Sequence, residues 1–195
     1  MAAADGSDDG LTWVGVQFEV VRTLGLKYLD DARLRFDQYI SATLAASLRA
    51  GGRFNPRSEF GALYTASDIS TAWEEVAARF AREGVVGLPP EMGLLGIIIS
   101  EGRYADLTDD DACQLWDIEK EQLLSPEKNA HESCQRVARA IRVVADFIAA
   151  PSSRAAGINF PLFPDRIDST LDMRFQFARP EQVPTHLLQT AEEEW

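Results

Sequence analysis

Gly51-Gly52-Arg53-Phe54-Asn55-Pro56, Phe60-Gly61-Ala62-Leu63-Tyr64-Thr65-Ala66 and Thr71-Ala72-Trp73-Glu74-Glu75-Val76 follow one another within residues 51–76. Two glycines end a helix, and Pro56 disfavours helix at Asn55, so Arg53 opens a loop. Gly61–Ala66 is a short apolar run that reads as a buried strand ending near Tyr64. Asp68 or Ser70 then caps a helix running through Arg82, with Ala72, Val76 and Phe80 along its core side. An arginine, a tyrosine and a glutamate fall eleven residues apart, at 53, 64 and 75. Such side chains recognise a phosphate, stack on a flat ring and stabilise a cation, a set suited to cleaving a charged nucleotide such as NAD.

Each of these residues also has a plainer reading. Arg53 beside two glycines could serve as a phosphate fork or as a salt bridge holding a turn. Tyr64 could be a ring platform or a core tyrosine with a satisfied hydroxyl. The helical wheel favours neither Glu74 nor Glu75 for burial, since each lies about 130° from the apolar centre. Glu75 could pair with Arg79 one turn on, or stabilise an oxocarbenium-like transition state. At Pro151-Ser152-Ser153-Arg154 a hydroxyl pair follows a predicted helix and reads as a turn, or as groups orienting a glutamate or phosphate.

Working outward, Trp13–Val21 places Val14, Val16, Phe18 and Val20 at period two and is read as one strand. Asp30 or Asp31 could cap a helix reaching Ala50, with Phe36, Ile40, Leu44 and Leu48 on one face. Gly84–Gly93 reads as a loop and Leu94–Ser100 as a strand. Asp106–Asp109 opens an acidic helix, and Ser133–Phe147 is an amphipathic helix on Val137, Ile141 and Val144. Pro151–Ala156 is a polar loop, while Asn159–Phe163 and Leu171–Phe177 read as late strands. Helices inserted among short strands indicate an α+β domain. Residues 1–12 read as a flexible acidic tail and 13–195 as a single domain.

The global numbers exclude several classes. An apolar fraction of 46% and a charged fraction of 26%, with mean hydropathy −0.17, are ordinary for a soluble protein. No apolar run approaches a membrane span. The start lacks the basic and apolar regions of a secretory signal. Cys113 and Cys134 read as reduced thiols in preference to a single disulfide, so the chain is expected in the cytoplasm. A net charge of −12 argues against a direct nucleic-acid surface and favours a basic partner. It also requires any nucleotide site to gather its few arginines locally. His131 and His186, with two cysteines in no ligand spacing, give no metal site. There is no G-x-S-x-G, P-loop or G-x-G-x-x-G motif.

GGRFNP at 51–56, FGALYTA at 60–66, TAWEEV at 71–76, Cys134-Gln135, Pro151–Arg154 and Asn159–Arg166 together resemble the RES domain family, in order and over most of the chain. The resemblance implies an ADP-ribosyltransferase-like fold, a split β-sheet with helices around an NAD cleft. It implies the toxin of a RES–Xre toxin–antitoxin pair, which cleaves NAD by hydrolysis or phosphorolysis and is neutralised by an Xre-family helix-turn-helix antitoxin covering the cleft. NAD would be substrate, with no further cofactor. Arg53, Tyr64, Glu75 and Ser152 would be the catalytic set, the family spacing selecting Glu75 over Glu74. Arg53, Tyr64 and Asn55 would bind NAD together with an upstream arginine. Arg22 ends a predicted strand as the family expects, whereas Arg35 lies at the expected distance but inside the predicted helix. The separation of Arg22 from Arg53 departs from the family pattern. The rival readings are ADP-ribosyl transfer to a protein and a non-catalytic binding module on the same scaffold. Leu187-Leu188 and Trp195 could dock on a second copy or on the chain's own core, which leaves oligomeric state open.

Overall fold

The computed structural model describes residues 10–14, 17–29, 32, 35–82, 84, 92–125, 127–164 and 177–178. In chain order these form β1 (Leu11–Trp13), β2 (Phe18–Gly25), a 3-10 turn at Leu26–Tyr28, α1 (Phe36–Ala50), β3 (Leu63–Ala66), α2 (Ile69–Arg82) and β4 (Met92–Ile99). There follow β5 (Arg103–Asp106), α3 (Asp110–Leu115), α4 (Lys120–Leu124), α5 (Lys128–Val144), β6 (Phe147–Pro151), β7 (Ile158–Leu162) and β8 (Phe177–Ala178). The strands make one sheet in the order β1-β5-β6-β7-β3-β2-β4-β8. Among the described strands only β5 and β6 run parallel, so the fold is the mixed α+β type expected.

The sheet has two halves. In one, β2 and β4 pair antiparallel along their whole length, from Phe18↔Ile99 to Gly25↔Met92. In the other, β3 pairs with β7 from Leu63↔Leu162 to Ala66↔Asn159, and β7 pairs with β6. The halves meet at β2 and β3, whose register joins Val21 to Ala66 alone. Beside that pair a side chain supplies the next link: Arg22 Nη1 donates to Tyr64 O at 2.6 Å, while Arg22 Nε donates to the Tyr39 hydroxyl at 2.9 Å. This narrow junction is the split of the sheet. Helix α2 packs on both β2 and β3 and so lies across it.

Apolar side chains fill both faces. Beneath α3, α4 and α5, a core of Leu107, Leu123, Val137, Ile141, Ile148 and Phe163 is closed to solvent. On the other face Val20, Leu63, Leu95, Ile97, Phe147 and Phe160 pack together with Tyr39 of α1. A third group, Ala66, Ala72, Trp73 and Leu94, seats α2. Strand β6 serves two of these layers. Phe147 and Ala149 point to one, Ile148 and Ala150 to the other, as period-two geometry requires.

Several expectations need correction. Trp13–Val21 is two strands rather than one, and residues 15 and 16 between them lie outside the described residues. Leu11 and Thr12, assigned to the tail, pair with Ala105 and Tyr104 in the sheet. Helix α1 starts at Phe36 with Arg35 as its N-cap, so Arg35 precedes the helix; the caps read at Asp30 and Asp31 lie outside the described residues. Helix α5 stops at Val144, which is 43% exposed and not on the core face. Phe147, read as the end of that helix, begins β6. The turn between them is fixed by Asp146, whose carboxylate accepts from Arg103 N at 2.8 Å. Strand β5 was not foreseen. The sequence-predicted strand at 171–177 has only Phe177 among the described residues, paired in β8 with Leu95. Asp68, rather than Ser70, caps α2, its Oδ1 accepting from Thr71 N at 2.8 Å. The acidic helix α3 is capped by Asp109, whose side chain accepts from Asp111 N and Ala112 N.

Gly61 shows how closely α1 sits on the strand that follows. A Cβ at this position would lie 2.5 Å from Leu44 O and 3.0 Å from Leu44 C, both helix backbone. Gly61→Ala is therefore expected to cost about 1–3 kcal/mol by overpacking, seen as a lower midpoint in urea unfolding. An unchanged midpoint would mean that α1 can withdraw without loss.

Candidate active site

The 51–55 loop is built around its glycines. Gly51 ends α1 at φ 69°, a conformation that favours glycine. Gly52 N then donates to Asn55 O at 2.8 Å to close a tight turn. At Gly52 a Cβ would stand 2.5 Å from the Tyr64 hydroxyl and 2.8 Å from Asn55 Oδ1, so a side chain there would expel the tyrosine. The Tyr64 hydroxyl donates to Asn55 Oδ1 at 2.8 Å and accepts from Phe54 N at 2.9 Å. Asn55 donates in turn to Ser47 O at 3.0 Å and Phe60 O at 3.1 Å. From α5, Gln135 Nε2 donates to Gly52 O at 2.7 Å. Burial pushes the Tyr64 phenol well above its ordinary range, so this hydroxyl is a neutral structural brace. What Tyr64 can offer a ligand is its partly buried ring.

Asn55 does not fit the NAD-binding role expected of it. Its side chain is fully buried and its amide is spent on α1, Phe60 and Tyr64. It holds the loop in shape from beneath.

Arg53 leaves this loop and runs under the site. Its Nη1 donates to Leu123 O at 2.5 Å, and its Nη2 to Ser125 O at 2.8 Å and to Ser153 Oγ at 2.6 Å. Burial lowers its proton affinity; Cys134 and the Glu75 charge partly offset this, and the nearby Arg154 charge adds to it. The guanidinium stays ionised. The Cys134 thiol beside it is pushed up to about 11 by burial and is inert.

Glu75, in the second turn of α2, faces the loop between β6 and β7. Its Oε1 accepts from Ser152 Oγ at 2.6 Å and from Asn159 Nδ2 at 2.6 Å. Both bonds fall on one oxygen. No hydrogen bond among the described residues reaches Oε2. Ser152 is buried; its hydroxyl also accepts from Arg154 N at 3.0 Å and Ala155 N at 3.1 Å. The loop is pinned to the start of α2 at Gly157, where a Cβ would meet Asp68 Oδ2 at 2.5 Å and Ser67 Oγ at 2.8 Å. Ser67 Oγ accepts from Ile158 N at 3.0 Å on the same side.

The structure thus gathers Arg53, Tyr64, Glu75 and Ser152 near one another by the sheet junction. Arg22 lies at the junction, its donors given to Tyr64 O and Tyr39. Arg35 is exposed at the start of α1, and no hydrogen bond among the described residues ties its side chain to the cleft. Asn159 was missed as a site residue, although its segment had been singled out. Its place directly before the apolar run Phe160-Pro161-Leu162-Phe163, in a segment read as a strand, was the available signal. Among the described residues no cluster of His, Cys, Asp and Glu could hold a metal ion, and no helix is long and apolar enough to cross a membrane. A carboxylate fixed through one oxygen, beside guanidinium groups and an aromatic ring, can stabilise a developing cation on a bound anionic substrate.

Comparison with known proteins agrees with the resemblance read from the sequence. The RES domain family matches residues 29–186. No curated protein matches the chain. Among solved structures, a chain of the M. tuberculosis MbcT-MbcA toxin-antitoxin complex is similar with a TM-score of 0.66, over 92% of this chain and 92% of that one, at 17% identity. At that identity the likeness is one of fold.

Tyr64→Phe is expected to leave Asn55 Oδ1 and Phe54 N unpaired and to cost about 1–3 kcal/mol. The phenol contributes an acid whose affinity for its proton is higher in the folded chain. Its stabilisation is complete below about pH 10, the unfolded value, and is lost as pH rises toward the folded one. The stability gap between wild type and Tyr64→Phe should therefore narrow from pH 8 to pH 10.5 in urea unfolding; a constant gap would contradict this role.

Proposed function

The chain belongs to the RES domain family, and we propose that it is an enzyme that degrades NAD, the toxin of a toxin–antitoxin pair. The observation that carries this reading is Glu75, held through Oε1 by Ser152 and Asn159 with Oε2 unoccupied. A carboxylate so placed suits one reaction well. The nicotinamide of NAD is already a cationic leaving group and needs no general acid. When its bond to the ribose breaks, the electron pair leaves with the ring nitrogen and neutralises it. Positive charge passes to the ribose C1″ and its ring oxygen, where Glu75 stabilises it. Two neutral donors on Oε1 fix the rotamer without cancelling the charge, so the carboxylate needs no rearrangement as the cation forms.

Tyr64 offers its ring face to the nicotinamide. Arg53 anchors the floor of the cleft, tying the 51–55 loop to the chain before α5 and to Ser153. Water or phosphate would then attack C1″ from the vacated side, losing its proton to solvent and giving ADP-ribose or its 1″-phosphate. The structural neighbour is, by its name, a chain of a toxin–antitoxin complex. That supports an antitoxin partner for this chain as well; an Xre-like helix-turn-helix protein seated over the cleft would block NAD, drawn from the cytoplasmic pool.

Purified protein free of antitoxin should release nicotinamide from NAD. Glu75→Ala is expected to lower kcat by about 100-fold or more, with the thermal midpoint little changed. Ser152→Ala should lower kcat by about tenfold through misorientation of Glu75. Adding phosphate and identifying the co-product decides the acceptor. No nicotinamide release from folded wild-type protein, with or without phosphate, would overturn the assignment.

A further inference from the structure

Three arginines stand around the cleft, and they differ in what their side chains do. Arg22 gives Nε and Nη1 to the Tyr39 hydroxyl and Tyr64 O. Arg53 gives both terminal nitrogens to Leu123 O, Ser125 O and Ser153 Oγ. Arg154 bonds through its backbone N–H to Ser152 Oγ, and its partly buried guanidinium has no partner among the described residues. The first two hold the protein together. Arg154 is the cation at this site with its full fork of donors free.

Such a group is costly as it stands. A guanidinium carries five donors and no acceptor, and here it is partly withdrawn from water within electrostatic reach of a second cation, Arg53. An anion placed against it would satisfy the donors and relieve the repulsion. Its position is also built. Ser152 Oγ bonds Glu75 Oε1, Arg154 N and Ala155 N together, so one atom sets the carboxylate and the backbone of the cation in register. Gly157, close against Ser67 and Asp68, keeps the loop from shifting. In a chain of net charge −12, an unpaired arginine two residues from the serine that holds the candidate catalytic carboxylate is out of place unless a ligand brings the countercharge.

We propose that Arg154 is the substrate-binding residue that recognises the diphosphate of a dinucleotide while Glu75 faces the sugar. This rests on the reading of the site as an NAD-cleaving centre. It assigns phosphate recognition to the β6–β7 loop and leaves Arg53 as the positioning residue beneath. The enzyme would then discriminate between a dinucleotide and a nucleoside carrying the same scissile bond.

The test follows nicotinamide release by wild type, Arg154→Gln and Arg154→Lys, with NAD and with nicotinamide riboside, which has no phosphate. Arg154→Gln should raise KM for NAD about 10- to 100-fold, the loss of charge-assisted hydrogen bonds, with kcat within about threefold. Arg154→Lys should recover part of it, and riboside cleavage should be unaffected. The thermal midpoint should not fall, because the side chain has no protein partner to lose. An unchanged KM for NAD, or an equal loss with the riboside, overturns the proposal. If wild type cleaves neither compound, the NAD-cleaving reading fails on its own account, and titration calorimetry with inorganic pyrophosphate and ADP-ribose decides Arg154. Binding weakened at least about tenfold by Arg154→Gln upholds the diphosphate site; equal binding, or none to wild type, overturns it.

Discussion

A sheet that splays apart must satisfy the backbone groups it uncovers, and that constraint shapes this molecule. Between β2 and β3 the register joins one pair of residues, Val21 and Ala66. Backbone donors and acceptors left open along the divergence would be costly if buried. Arg22 meets one of them through Tyr64 O, and α2, which follows β3 directly, packs across both strands. The cleft and its carboxylate are thus consequences of the same divergence. The helix that covers the opening is the helix that carries Glu75.

Polar contacts around the cleft divide into two nearly separate systems. One braces the 51–55 loop: the Tyr64 hydroxyl, the Asn55 amide and Gln135 hold a turn that its glycines allow. The other fixes the β6–β7 loop to α2 through Ser152, Asn159 and Gly157. Arg53 is the strut between them, reaching Ser153 of the second system from a backbone belonging to the first. The adjacent serines accordingly have different tasks, one bound to a carboxylate and the other to a guanidinium. The carboxylate and the two guanidinium groups nearby are not closed into ion pairs with one another, which leaves both signs of charge open to a ligand carrying each.

Much of this was legible where local rules and tertiary packing agree. The paired glycines before Arg53, the short strand at Tyr64 and the capped helix at Glu75 are all where their sequence puts them. The strand carrying Asn159 was legible too, but not that its amide would point to Glu75, because strand pattern alone does not say which neighbour a polar side chain meets. Strand β6 was hidden for a definite reason. Phe147-Ile148-Ala149-Ala150 is buried on both faces, so it shows no alternation, and it follows a helix across a break of two residues. Asp146, which makes that break by bonding to Arg103, is unremarkable in sequence. Asn55 was misread for the opposite reason: a polar residue next to a glycine turn resembles a ligand group until its burial is known. The exposure of Val144 likewise follows from a helix end that the sequence does not mark.

The bonds that complete the site span most of the chain. Ser152 reaches Glu75 across 77 residues, Asn159 reaches it across 84, and Ser153 meets Arg53 across 100. Ribosomes deliver the N-terminal half first, and contacts of such separation form late. A nascent chain ending at Pro151, the last residue of β6, would already contain Arg53, Tyr64 and Glu75, yet Glu75 would have neither of the donors that fix it. The order of synthesis therefore sets when Glu75 is held: its carboxylate stays unbraced until the last of its partners has left the ribosome.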